Sequence, residues 1–95
     1  MGHAFSTPRP NLIESPEFSV EVLGRTGLRY MEAGRVLVID SEALAEPGSM
    51  LVYSRTISSW QPPNESETLG PNDRVRIINN IREAFRFKGY EIEVI

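Results

Sequence analysis

The sequence contains no cysteine. That excludes disulfides, thiolate nucleophiles and cysteine-bound zinc or iron–sulfur centres. It has a single histidine, His3, close to Pro8 and Pro10. Such a terminal segment is a poor place to hold an imidazole rigidly for nucleophilic catalysis. No apolar run approaches the ~20 residues that span a bilayer. Residues 1–10 also lack the apolar stretch of a signal peptide, so the expected location is the cytoplasm. There is no glycine-rich phosphate loop, because Gly24, Gly27, Gly34 and Gly48 fall singly at turns between strand-like runs. The carboxylates show neither the convergence that a hard cation needs nor the defined cleft of a glycosidase pair. Together these absences predict a protein that is not an enzyme and binds no cofactor and no metal.

What is present suits one small globular domain. The chain has 95 residues, 40% hydrophobic and 24% charged. At this size roughly 64% of the unfolded surface can be buried, enough for one core but not for a deep enclosed cavity. The run Arg35–Asp40 is apolar on both alternating faces, which predicts a central strand covered on two sides. Before it, Glu17–Leu23 alternates as a half-buried strand, and Leu28–Glu32 leads through Ala33-Gly34 into Arg35 as a two-residue hairpin. In that register Glu32 faces Arg35, Tyr30 faces Leu37 and Leu28 faces Ile39 on one apolar side, with Met31–Val36 and Arg29–Val38 on the other. The apolar side is assigned to a helix.

Residues 1–16, punctuated by Pro8, Pro10 and Pro16, are expected as a flexible leader on which only Leu12 and Ile13 could dock. Asp40–Leu44 suggests a short helical turn, and Met50–Ser54 and Arg55–Trp60 suggest strands stopped by Pro62-Pro63. Asn72–Lys88 predicts the one long helix, with Asn72 as N-cap and Ile77, Ile78, Ile81, Ala84 and Phe85 as its apolar stripe. Tyr90–Ile95 then closes the chain as a strand. The expected fold is α+β over residues 17–95: a mostly antiparallel sheet of about five or six strands, one long C-terminal helix on one face, and a final strand after that helix.

The net charge of −3 is unevenly spread. Residues 71–89 hold five cations against two carboxylates, so the remainder carries −6. Nine of the ten cations are arginine. An acidic chain whose aromatics fall at inward positions does not suit nucleic acid. Trp60, at a strand end before two prolines, reads as a core residue closing the sheet or as an aromatic anchor for a partner.

Tyr30-x-Glu32-x-Gly34-Arg35, Ser41-Glu42-x-Leu44, Val52-Tyr53, Ile57-x-x-Trp60-x-Pro62-Pro63, Ile78-x-Asn80-Ile81-Arg82 and Glu91-x-Glu93-Val94-Ile95 together resemble a family of small bacterial proteins identified as immunity proteins of polymorphic toxin systems. The resemblance runs from about Leu28 to Ile95. It implies a single-domain inhibitor that binds and neutralises a cognate protein toxin, with no catalytic residue. Joined to the acidic balance, it makes Glu32, Asp40 and Glu42 the candidate partner-binding residues, with Tyr53 and Trp60 as aromatic anchors. The alternative is a small cytoplasmic regulatory or housekeeping domain of unknown ligand.

The helical stripe can be tested directly. Ile81→Ala is expected to cost about 2–5 kcal/mol, and Arg82→Ala on the other side less than about 0.5 kcal/mol. A melting temperature for Ile81→Ala within a degree or two of the parent would place the stripe on the wrong side.

Overall fold

The computed structural model of the chain describes residues 3–95. Seven strands lie side by side in chain order in one sheet. They are β1 (Ser6–Arg9), β2 (Leu12–Glu14), β3 (Phe18–Val22), β4 (Gly27–Glu32), β5 (Arg35–Ala43), β6 (Met50–Val52) and β7 (Ile92–Val94). Every neighbouring pair is antiparallel except β6 and β7, which run parallel. A parallel pair needs a crossover. Helix α1 (Pro71–Phe87) supplies it, so the helix lies across one face of the sheet.

The β4–β5 hairpin takes the expected register: Glu32↔Arg35, Tyr30↔Leu37, Leu28↔Ile39. Its two turn residues, Ala33 and Gly34, both have positive φ, at 52° and 78°. That is the backbone whose twist matches the flanking strands. Alternation then delivers Phe18, Val20, Leu28, Tyr30, Leu37, Ile39, Met50, Val52 and Ile92 to the helix side, where all are buried. Ile77, Ile81, Ala84 and Phe85 meet them from α1, and Ile81 is fully buried, as its stripe predicts.

Asn72 is not the N-cap. Gly70 holds that place and Pro71 opens the helix, where a missing amide costs nothing. The Asp73 carboxylate accepts the Gly70 N–H at 2.8 Å. After the helix the chain reverses through Gly89, and the Tyr90 N–H returns to the Phe85 carbonyl at 2.9 Å. Tyr90 then packs on Gly48, where a Cβ would collide with its ring.

Further expectations are corrected. Residues 6–14, placed in the leader by their prolines, form the β1–β2 hairpin, and Ile13 is 3% exposed beneath it. Met1 and Gly2 of that leader lie outside the described residues. The sheet therefore has seven strands, not five or six. Asp40–Ala43 is no helical turn but the end of β5, because Ser41 faces inward and the segment pairs with β6 over Ser41↔Val52 to Ala43↔Met50. Arg55–Trp60 is no strand. The chain takes a 3-10 turn at Ser54–Thr56, and the Thr56 hydroxyl accepts the Asp40 N–H at 2.9 Å while donating to the Tyr53 carbonyl. With β5 capped that way, Ile57 and Trp60 fold into the core. Last, β5 is covered on one side only: Leu37 and Ile39 are buried, Val36 and Val38 half-buried.

Ile13→Ala distinguishes a docked hairpin from a leader. Loss of a buried isoleucine is expected to cost about 2–5 kcal/mol, read as a lower urea midpoint. A change below about 0.5 kcal/mol would return these residues to a leader role.

Candidate functional site

Because α1 and the 54–70 segment occupy one face, the other is open. None of its strand residues is buried. The registers of the strands give its layout row by row. One row reads Glu14, Ser19, Met31, Val36, and the next Leu12, Glu21, Arg29, Val38. Glu21 is neutralised there by Arg9 at 3.0 Å and Arg29 at 2.7 Å. The middle of the face is apolar, with Met31 41% exposed beside Val36 and Val38.

The β5–β7 end is different. Glu42, Leu51 and Glu93 form one row across three strands, and Asp40 lies two residues from Glu42 on the same face. Strand spacing sets the Glu42 and Glu93 backbones about 9–10 Å apart. Asp40, Glu42 and Glu93 are exposed and lack a salt bridge to any described residue. Tyr53 joins them: its N–H donates to the Asp40 carbonyl at 3.0 Å, and the Arg55 guanidinium lies 5.3 Å from its ring centre. Desolvation, then the Glu42 carboxylate, raise the Tyr53 hydroxyl above its ordinary pKa, with Arg55 opposing. The phenol therefore stays a neutral donor over the physiological range. Glu46, Glu91 and Glu93 also line a shallow hollow with Leu44 and Ser49. Of these, Glu91 has a cation near, Arg86 at 3.7 Å.

The five candidate residues thus separate. Asp40, Glu42 and Tyr53 are brought together on the open face. Glu32 is not with them: it faces the helix side at the far end of the hairpin. Its carboxylate takes both Arg76 Nη2 and Nε, at 2.8 and 3.0 Å, and the Tyr30 hydroxyl at 2.9 Å. Asn80 donates to the Tyr30 hydroxyl at 2.8 Å, and Arg76 also donates to Asp73 at 2.8 Å. Burial drives the Tyr30 hydroxyl far above its ordinary value, with Glu32 adding to the effect and Asn80 opposing it. This network pins the start of α1 to the sheet. Trp60 is 5% exposed and lies 6.5 Å from the Tyr30 ring, nearly parallel to it. It is a core residue and offers a partner almost no surface.

Sequence reasoning did not join Glu93 and Leu51 to Glu42. Only the parallel β6–β7 pairing sets Glu93 beside Leu51. His3 bonds Glu17 at 2.9 Å and packs edge-on against Phe18. Among the described residues, no cluster of three histidine, aspartate or glutamate side chains could hold a metal ion. None of the described helices is long and apolar enough to cross a membrane.

The family model described as Immunity protein 74 matches residues 19–95, from within β3 to the end of β7. No curated protein and no solved structure matches the chain.

The helix-start network makes stability depend on pH in a defined direction. The Gly70 N–H, then the Arg76 guanidinium, hold the Asp73 carboxyl below the usual carboxylate range. Arg35, then Asn64, do the same for Glu67. A carboxyl whose folded pKa is depressed contributes fully above its unfolded value of about 4 and loses that contribution as pH falls through the folded one. Stability is expected to be flat from about pH 7 to 5 and to fall below about pH 4. Asp73→Asn is expected to flatten part of that fall in chemical denaturation. An unchanged acid slope in the variant would remove Asp73 from the account.

Proposed function

Because the chain belongs to the Immunity protein 74 family, we propose that it acts by binding and neutralising a cognate bacterial toxin. The inhibition is stoichiometric and needs no chemistry from this chain. The observation that carries the reading is the uncompensated acidic end of the helix-free face, Asp40, Glu42 and Glu93 around Leu51, with Tyr53 at its margin.

That arrangement has the parts of a protein interface. Leu51, Val38 and Met31 supply apolar area at the centre, Tyr53 supplies an amphipathic ring, and the carboxylates form a charged rim. The partner it suits is cationic. Complementary charge raises the encounter rate and rejects wrong partners more than it adds affinity. Glu32 contributes indirectly, by holding α1 on the opposite side of the sheet, and Trp60 by filling the core behind Tyr30. The outer face of α1 sets Arg82 and Arg86 against Glu83, so it offers a cationic partner no acidic excess.

The test is to purify the product of the adjacent gene and measure association by surface plasmon resonance at rising salt. Rim-steered binding is expected to show on-rates that fall steeply between about 50 and 500 mM salt. Glu42→Lys combined with Glu93→Lys is expected to weaken Kd at least about tenfold, or about 1.4 kcal/mol. Glu83→Lys, the same change on the helix, is expected to shift it less than about twofold. If the helix substitution has the larger effect, the interface lies on the other side. If no complex forms, the immunity reading fails.

A further inference from the structure

The sheet has two edges, built differently. β1 is Ser6-Thr7-Pro8-Arg9. Pro8 has no amide to donate, and the register with β2 shifts between Ser6 and Arg9. Both features blunt an edge against a further strand. β7 has neither. It runs in regular register with β6: Met50↔Ile92, Leu51↔Glu93, Val52↔Val94.

The backbone of β7 shows which groups are free. Met50 N–H donates to the Glu91 carbonyl at 3.2 Å, and Ile95 N–H to the Val52 carbonyl at 3.0 Å. Residues 91, 93 and 95 therefore face β6. Strand alternation turns the N–H and C=O of Ile92 and Val94 the other way. Among the described residues β7 has no neighbour on that side, and no backbone group bonds to these four. They form a short edge of β-branched residues with neither proline nor a register shift, a geometry that accepts an added strand by main-chain pairing.

We infer that the β7 edge receives an extended segment of the toxin, one with lysine or arginine on the side that meets Glu93. The inference rests on the toxin-binding reading and names how the partner docks. Charge selects the occupant. Glu93 projects on the open face in the same row as Glu42. A residue of the added strand opposite Glu93 lies one strand spacing away, about 4.8 Å. A cation there pairs across the strands, and a carboxylate there is repelled. A second copy of this chain is disfavoured for the same reason, since pairing β7 with itself brings Glu93 toward Glu93 and Glu91. The added strand continues the Glu42–Leu51–Glu93 row, so edge and face form one continuous surface.

Amide hydrogen exchange by NMR, on the full chain alone and with the adjacent gene's product, reads the edge directly. In the complex the Ile92 and Val94 amides are expected to exchange at least about tenfold more slowly. Val94→Pro removes an outward donor and leaves the β6–β7 ladder intact, and it is expected to raise Kd at least about tenfold. If that variant does not fold, the exchange result on the unaltered chain decides. A complex in which both amides keep their free-state exchange, or one that Val94→Pro forms at parent strength, overturns the inference and leaves the toxin-binding reading standing. Protection of those amides in a dimer of this chain alone, at the same concentration, also overturns it. If no complex forms with the unaltered chain, the reading and the inference fall together.

Discussion

One helix covers one face of a sheet, and the rest of this structure follows from that limit. Seventeen residues of α1 rise about 25 Å, enough to cross the middle strands. With Ile57, Trp60 and Leu69 folded in from the segment before it, α1 closes a single core on one side. Among the described residues no second helix covers the other side. The strands therefore alternate between residues that must be buried and residues that must tolerate water. Val36 and Val38 are apolar yet only half-buried for this reason. The open face thus follows from the topology of the described residues, in which one crossover supplies one helix.

Parts of this were legible because local chemistry dictated them. Gly34 between two alternating runs points to a tight two-residue turn, and that turn sets every pair in β4–β5. The stripe of α1 repeats at helical spacing and needed no tertiary information. The same hairpin register also contained the division of the candidate site. In a two-residue hairpin, even positions of β4 share a face with odd positions of β5. Glu32 therefore lies with Leu37 and Ile39, and Asp40 and Glu42 lie opposite. Grouping the three by sign of charge ignored that parity. The β1–β2 hairpin was illegible because its strands are short, β1 is exposed throughout, and only Ile13 faces inward. The Glu42–Glu93 row was illegible because it depends on where the chain returns after the long crossover, residues 53–91, that contains α1.

Charge counted along the sequence differs from charge presented at the surface. Residues 71–89 carry an excess of cations, yet Arg76 is spent on Glu32 and Asp73. Arg74 donates to the Ile57 carbonyl, and Lys88 to the Pro10 carbonyl. These side chains staple the helix to the sheet and to the β1–β2 turn. Their worth as exposed pairs is small one by one, but they fix the angle at which α1 lies. On the other side, Arg9 and Arg29 are drawn to Glu21. The surplus of carboxylates is thereby left at the β5–β7 end, which makes the open face polar in one direction.

That direction matters for a sheet with an uncovered face and an unblunted edge. Both are liabilities in a small protein, since exposed strands pair with whatever strand they meet. β1 handles the hazard with proline and an irregular register. β7 carries Glu93, which leaves the hydrogen-bonding groups free and acts only on the charge of what approaches. A proline rejects every strand alike. A carboxylate rejects its own kind and admits a cation, so protection by charge is selective where protection by geometry is not. On the strand-addition proposal, the charge that disfavours a second copy of this chain is also what selects the partner of the edge.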